Sequence, residues 1–119
     1  MDIDEFAERV ARIRERFAAA LPKKVDDSFL ALDHLSDAGD EAIADVIVTH
    51  RRLHEMCGIA PTIGFDATGK AARAAETVLR EPAKSKRALT AAEVTALKTQ
   101  LDGLRSAAQS DLQSMTSRG

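Results

Sequence analysis

Apolar side chains recur every three or four positions along most of this chain, and that spacing places them on one face of an α-helix. No segment shows the strict alternation of polar and apolar residues that marks a half-buried strand. The 119 residues suffice for one domain with one core. Because the only aromatic residues are four Phe, that core must be largely aliphatic. The sequence therefore predicts a single all-α domain that spans residues 1–119.

Proline, glycine and capping residues divide this pattern into helices. A first amphipathic helix is predicted over residues 3–21, and Pro22 ends or kinks it because proline has no N–H to donate. A second, shorter helix is predicted over residues 25–35. A third should begin near Asp40, whose carboxylate can cap the free N–H groups of the first turn, and end at about residue 58 or 59.

The second half of the chain adds two helices. One is predicted over residues 65–80 and is rich in alanine, which would let it approach a neighbour closely. Residues 81–87 lose the apolar period and carry three positive charges, so an exposed loop is expected there. The last helix opens at Thr90, which forms a capping box with Glu93. The polar tail over residues 114–119 is expected to fray.

The apolar stripe of the last helix has a near-heptad spacing. Its members are Val94, Leu97, Leu101, Leu104, Ala108, Leu112 and Met115. We expect this stripe to face the core, and a coiled-coil dimer face is the alternative. Four substantial helices with short connections predict an antiparallel four-helix bundle of up-down topology, with the short second helix as an addition near the N-terminus. The segment over residues 58–64 should form a buried turn between two antiparallel helices.

Charge and composition exclude several classes of function. The formal net charge of −2 combines both signs, and Trp and Tyr are absent, so the chain has no platform for stacking nucleic-acid bases. No apolar stretch approaches the roughly 20 residues that span a bilayer. The single Cys57 cannot form an intramolecular disulfide, and acidic residues stand where a signal peptide would be basic. We expect a cytoplasmic protein that binds neither nucleic acid nor membrane.

Two histidines on the third helix are the strongest functional candidates. At 100° per residue, His50 falls roughly 20° from the centre of the apolar stripe and His54 roughly 60° from it. His50 should therefore be mostly covered, whereas His54 should have its outer ring nitrogen near solvent. Gly58 lies one turn above His54. Either its missing side chain clears the approach for a partner, or Gly58 simply belongs to the helix end before Pro61.

The segment over residues 53–79 resembles the signature of the histidine-containing phosphotransfer (HPt) family. That family places a phosphoaccepting histidine in mid-helix, followed by an apolar residue at two positions on, usually a lysine at three, a glycine at four and a second glycine at ten. The residues that match are His54, Met56, Gly58 and Gly64. Cys57 stands where the lysine usually lies. The match selects His54, because a pattern that started at His50 would place a histidine in the first glycine position.

The resemblance implies a phosphoryl carrier and not an enzyme. Such a protein exchanges a phosphoryl group with an aspartate of a response-regulator receiver domain, or accepts it from a hybrid sensor histidine kinase. The receiver supplies magnesium and the acidic pocket, so this chain would need no cofactor of its own. In agreement with this, the sequence contains no glycine-rich phosphate loop. We expect the protein to be a monomer.

Loss of the usual lysine leaves open which cation offsets the phosphoryl charge. Arg51, on the same helix edge as His54, is the first candidate and Lys70 is the second, although either could be an ordinary surface charge. Glu76 occupies the place where family members often carry a glutamine that hydrogen-bonds the histidine. Its carboxylate could orient the ring through the second N–H, and a solvated position is the alternative.

Two other interpretations stay open at this point. A plain helical interaction or dimerisation module, assembled through the last helix, would carry its histidines incidentally. A zinc site would use the two histidines four residues apart on one face, but a third ligand is hard to supply because Cys57 should point toward the core. His34, on the predicted short helix, is expected to be a surface or partly covered side chain.

Overall fold

The computed structural model describes residues 2–117 and consists of four long α-helices that pack together. In chain order, the elements are α1 (Ile3–Ala31), α2 (Asp40–Ile59), a 3₁₀ turn (Ala60–Ile63), α3 (Asp66–Ser85) and α4 (Ala91–Ser117). No strand occurs in residues 2–117, so the predicted all-α class is confirmed. Of the polar tail, residues 114–117 belong to α4, and residues 118 and 119 lie outside the described part.

One aliphatic core lies between the helices, and α3 packs against both α2 and α4. Its fully buried large apolar side chains come from all four helices and the turn after α1, and they include Leu21, Leu35, Val46, Leu53, Met56, Leu79, Leu97, Leu101 and Leu104. The stripe of α4 thus faces inward, as expected: its central members are buried, and Val94, Leu112 and Met115 are partly buried against the core. None of the helices in the described part is both long and apolar enough to cross a membrane.

α1 runs without interruption through Pro22, so the predicted break and the separate short helix over residues 25–35 are wrong. Pro22 is exposed, and water can bind the carbonyl that loses its helical N–H partner. The neighbouring Leu21 and Val25 are buried and hold both halves of the helix against the same core. After α1 the chain turns, and Leu35 is fully buried inside that turn instead of on a helix.

α2 begins at Asp40 as expected, but the prediction that Asp40 caps it is wrong. The N-cap is Gly39, with a φ of 106° and no side-chain hydrogen bond to the first turn. Only glycine adopts such a φ without strain. Asp40 and Glu41 lie in the first turn, where their negative charges interact favourably with the positive end of the helix dipole.

α3 continues to Ser85, so the exposed loop predicted over residues 81–87 is wrong for its first five residues. Pro82 lies inside the helix with its side chain fully buried, and this burial offsets the hydrogen bond that proline cannot donate. Lys86 then closes the helix with a φ of 55°, and the Arg87 N–H donates to the Pro82 carbonyl at 3.0 Å.

Ion pairs hold the connection between α3 and α4 in place. The Arg87 guanidinium pairs with Glu81 on α3 and with Glu93 on α4. The predicted capping box is confirmed: the Glu93 N–H donates to Thr90 Oγ1 at 3.1 Å, and the Thr90 N–H donates to the Glu93 carboxylate at 2.9 Å. Glu93 therefore both caps α4 and anchors the basic segment that precedes it.

A tight turn connects α2 and α3, as the sequence predicts, but most of residues 58–64 are exposed, so the prediction that the turn is buried is wrong for these. Ala60 and Ile63 are buried, and Gly64 adopts a φ of 89°, which closes the turn. Gly69 of α3 lies against Pro61, because a Cβ at position 69 would lie 2.8 Å from Pro61 Cγ. The start of α3 can therefore approach the end of α2 more closely than a larger residue would allow.

Candidate functional site

His50 and His54 lie one turn apart on the side of α2 that borders α3. Their rings are stacked, with centroids 5.9 Å apart and planes inclined at 18°. The side chain of His50 is 25% exposed and that of His54 is 68% exposed. The structure thus places His50 as a mostly covered residue and His54 at the rim of the bundle, in agreement with the positions deduced from the helical wheel.

Glu76 of α3 faces both rings from a buried position, with only 3% of its side chain exposed. Because a carboxylate only accepts, Nε2 of His50 carries the hydrogen and donates to Glu76 Oε1 at 2.9 Å. Nδ1 of His54 lies 3.6 Å from the same oxygen. The solvated position considered for Glu76 is therefore wrong, and the carboxylate lies where it can orient an imidazole.

Arg80 compensates the charge of Glu76. Its Nη2 donates to Glu76 Oε2 at 2.8 Å, and its Nε donates to Oε1 at 3.4 Å. The hydrogen bond from Arg80 holds the pKa of Glu76 below its usual value, burial opposes that effect, and the hydrogen bond from His50 adds to the lowering. The carboxylate therefore stays ionised and able to accept from a histidine, although it is shielded from water.

Sequence reasoning did not single out Arg80 or the contact between Glu76 and His50. The four-residue spacing of Glu76 and Arg80 on one predicted helix could have indicated their ion pair, because side chains at this spacing lie next to each other. The contact with His50 depends on how α2 and α3 pack, and no local pattern encodes it.

Gly58 leaves open space beside His54. A Cβ built at Gly58 would meet no atom within 4 Å, so this chain imposes no steric need for glycine there. Its φ is not positive, and α2 continues through it to Ile59. Gly58 is the penultimate residue of α2, so the helix-end explanation agrees with the structure, and the open space beside the residue is also compatible with clearance for a partner.

Cys57 is buried, as expected, and its Sγ donates to the His54 carbonyl at 3.1 Å. It also borders an open groove of about 330 Å³ between the end of α2 and the start of α3. Two cations, Lys70 and Arg73, line this groove together with one carboxylate, Asp66. Neither takes part in an ion pair within residues 2–117. Free positive charge on α3 therefore lies beside the position where the family carries its lysine.

The other candidate residues have simpler surroundings. Arg51 is exposed on α2, and no hydrogen bond joins it to His54 in the described part of the chain. Gly64 closes the turn between α2 and α3 by adopting a left-handed backbone conformation. His34 lies in the turn after α1, where its Nδ1 is 3.3 Å from a carboxylate oxygen of Asp37, and it is not part of the histidine pair.

A metal ion at the histidine pair would have to compete with Arg80, whose guanidinium already neutralises the carboxylate that faces both rings. Within residues 2–117, no group of three or more His, Cys, Asp or Glu side chains is arranged as a metal site.

Compared with protein-family models, curated proteins and solved structures, the chain gives no significant match. The chemistry of the site therefore has to follow from its geometry. With Nδ1 of His54 facing Glu76, Nε2 lies on the opposite side of the ring. A neutral imidazole that keeps its hydrogen on Nδ1 has a lone pair on Nε2, and that atom can act as a nucleophile toward a phosphoryl group.

Proposed function

We propose that this protein is a histidine phosphotransfer module of the HPt type, which carries a phosphoryl group on Nε2 of His54 in a two-component phosphorelay. One observation carries the proposal: a ring that is 68% exposed has its Nδ1 atom 3.6 Å from a buried carboxylate. A phosphoryl carrier needs this arrangement, because one ring nitrogen must be held and the other must reach a partner. The resemblance of the surrounding segment to the HPt signature supports the same function.

The transfer would start from a phosphoaspartate on a receiver domain. The lone pair of His54 Nε2 attacks phosphorus, the bond between phosphorus and the aspartate oxygen breaks, and the aspartate leaves as a carboxylate. The ring then gains positive charge, and the Glu76 carboxylate, whose Oε1 lies 3.6 Å from Nδ1, stabilises that charge. The reverse reaction passes the phosphoryl group to a second receiver.

The partner would supply most of the catalysis. In this proposal the receiver domain brings magnesium and the acidic pocket, and the module itself needs no nucleotide, metal or other cofactor. Its own contribution is to position the imidazole and to leave space at Gly58 for the receiver surface. The partners are a response-regulator receiver domain, a hybrid sensor histidine kinase or both, and the exchange takes place in the cytoplasm.

We assign the role of the missing lysine to the cations of the groove at Cys57, Lys70 first and Arg73 beside it. They lie on the helix that faces α2, and they border the residue that replaces the lysine. Their charges are free to attract the phosphoryl group or the acidic pocket of a receiver. Lys70→Ala should slow transfer more than Arg51→Ala does, and the reverse order would return the role to Arg51.

The helix order in this proposal is the up-down, antiparallel one. The Leu89 N–H donates to the Leu35 carbonyl at 2.9 Å, which joins the turn after α1 to the connection before α4. The connection after α1 and the connection after α3 are thus neighbours, as they are in an up-down bundle. The turn that holds Gly64 then belongs to the other end.

The decisive experiment is phosphotransfer from receiver domains of the source organism that carry a labelled phosphoryl group. The wild-type protein should acquire an acid-labile, alkali-stable label. His54→Gln should abolish the label, whereas His50→Gln, the matched control one turn away, should keep most of it. Label that survives the loss of His54 would disprove the site, and a wild type that no receiver or kinase labels would disprove the function.

The interaction-module alternative relied on the apolar stripe of α4. Those side chains are already packed in the core of this chain, so no observation on α4 favours that alternative.

A further inference from the structure

His50 is the member of the histidine pair that the proposed phosphoryl transfer does not use. Its side chain is 25% exposed, and its Nε2–H donates to Glu76 Oε1 at 2.9 Å. The same oxygen lies 3.6 Å from Nδ1 of His54, the atom that must keep its hydrogen if Nε2 is to attack phosphorus. The oxygen that faces the acceptor ring is therefore the one that His50 holds.

The two oxygens of the Glu76 carboxylate are held from different helices. Arg80 donates to Oε2 at 2.8 Å, but it lies on α3 with Glu76 itself, and its side chain is 58% exposed. Its Nε reaches Oε1 only at 3.4 Å. Among the described residues, only the hydrogen bond from His50 joins this carboxylate to α2. Without that bond, the carboxylate is free to follow Arg80 toward solvent.

His50 and His54 lie on the same helix, one turn apart. Helix geometry fixes the separation of side chains at this spacing, so an oxygen held by His50 has a defined place relative to His54. The two rings are also nearly parallel, inclined at 18° with centroids 5.9 Å apart. The mostly covered ring of His50 therefore limits how the exposed ring of His54 can turn.

The hydrogen bond from His50 does not prevent Glu76 from serving His54. A carboxylate oxygen has two lone pairs and can accept from two donors at once. His50 makes the one short hydrogen bond to Oε1, because the contact from Arg80 Nε is long. The oxygen therefore keeps the capacity to accept from Nδ1 of His54.

We propose that His50 is a positioning residue for the acceptor His54. It holds Glu76 Oε1 toward Nδ1 of His54, and this keeps the hydrogen of the acceptor ring on Nδ1 and the lone pair on Nε2. His50 itself neither accepts nor donates the phosphoryl group. The role rests on the proposed function, because it concerns the nitrogen that would take part in the transfer.

Variants of His50 separate its hydrogen bond from its ring. His50→Gln keeps an N–H donor near the place of Nε2 and loses the ring, whereas His50→Phe keeps a ring and loses the donor. The smaller His50→Leu also lacks the donor and should behave like His50→Phe. Circular dichroism should report the same helical fold in each case. The retained donor is the reason that His50→Gln should keep most of the phosphoryl label.

Single-turnover transfer from a phosphorylated receiver domain of the source organism measures the role. His50→Phe should lower the maximal rate at least about threefold and leave the receiver concentration for half of that rate unchanged, because the ring is misplaced but the docking surface is intact. His50→Gln should stay within about twofold of the wild type. As a control, His34→Phe in the turn after α1 should transfer at the wild-type rate.

Two kinetic results would overturn the proposal. One is a wild-type rate for both His50→Phe and His50→Leu. The other is a loss in His50→Gln as large as the loss in His50→Phe, because the donor would then make no difference.

Nitrogen NMR tests the same role without a partner, because it distinguishes a ring nitrogen that carries hydrogen from one that does not. At about pH 9, where an ordinary imidazole is neutral, Nε2 of His54 should lack hydrogen in the wild type and in His50→Gln. In His50→Phe, a substantial share of the molecules should carry the hydrogen on Nε2. An unchanged hydrogen position in His50→Phe would overturn the positioning role, even where labelling identifies His54 as the acceptor. A wild type that no receiver or kinase labels, together with the expected NMR result, would overturn the proposed function and leave His50 as the residue that sets the hydrogen position on His54.

Discussion

Glu76 combines two properties that rarely occur together in a side chain: it is 3% exposed and it is ionised. The combination is stable because Arg80 reaches it from the same helix and His50 from the neighbouring one. The same oxygen that accepts from His50 also lies nearest to His54. A single carboxylate thus lies between the covered histidine and the exposed one. The candidate site therefore consists of four side chains, those of His50, His54, Glu76 and Arg80.

Replacement of Glu76 separates its charge from its hydrogen bonding. Glu76→Gln keeps an acceptor for the histidines but loses the charge that Arg80 compensates, so we expect the free energy of unfolding to fall by roughly 1–2 kcal/mol. Phosphotransfer to His54 should slow only moderately, because the amide oxygen still faces the ring but no longer carries the charge that stabilises it. Glu76→Leu removes the acceptor as well and should slow the transfer by about tenfold or more. Urea unfolding and single-turnover transfer measure the two effects, and equal transfer rates in both variants would contradict the orienting role.

Gly58 and Gly103 form a matched pair, because each lies within a helix and a Cβ at either position would meet no atom within 4 Å. Phenylalanine at either position should leave the fold intact, since glycine is the poorer helix former. Gly58→Phe should lower the rate of phosphotransfer by about tenfold or more, because its ring fills the approach to His54. Gly103→Phe on α4 should transfer at the wild-type rate. A wild-type rate for Gly58→Phe would show that partners do not approach across this position.

At the scale of elements, the connection between α3 and α4 contains an ion-paired carboxylate whose contribution to stability depends on pH. The hydrogen bonds from Arg87 lower the pKa of Glu93 to about 2, and the hydrogen bonds at Thr90 add to this effect. A carboxyl whose pKa is lower in the folded chain than in the unfolded chain stabilises the fold above its ordinary pKa of 4.5. That contribution is lost as the pH falls from 4.5 toward 2.

Glu93→Gln isolates this contribution. The variant should be less stable than the wild type at neutral pH, and the difference should shrink toward zero as the pH approaches 2, because the wild-type carboxyl is then protonated as well. Urea unfolding at several pH values measures the difference. Glu15→Gln, at an exposed position on α1, serves as the control and should differ little from the wild type throughout. A difference for Glu93→Gln that does not change with pH would contradict the assignment.

For the whole molecule, the structure divides α1 into a part that belongs to the core and a part that does not. Phe17, Leu21, Val25 and Ser28 are the buried residues of α1, and all of them lie at or after its midpoint. Removal of residues 1–13 should therefore change the free energy of unfolding by less than about 1 kcal/mol. Thermal unfolding should remain cooperative, and phosphotransfer to His54 should continue at the wild-type rate. A shortened chain that no longer unfolds cooperatively would show that residues 1–13 support the core.

The helical class, the approximate starts of α2, α3 and α4, the capping box and the inward stripe of α4 could be predicted from the sequence, because each depends on residues close together in the chain. The different exposure of His50 and His54 follows from the same local geometry. Only the tertiary structure decided that α1 continues through Pro22 and that α3 continues through Pro82. Burial of Leu21 and Val25 on either side of Pro22, and burial of Pro82 itself, offset the hydrogen bonds that proline cannot make.

The tertiary structure also decided which residues surround Glu76 and which part of α1 stays exposed. Periodicity states which face of a helix is apolar, but it does not state how far the neighbouring helices extend along that face. The first and second halves of α1 therefore look alike in sequence. They differ because Ile3, Phe6 and Ile13 stay exposed and Val10 is half-buried, whereas the large apolar residues of the same face are buried from Phe17 onward. Glu76 and His50 are 26 residues apart, and only the packing of α2 against α3 brings them within hydrogen-bond distance.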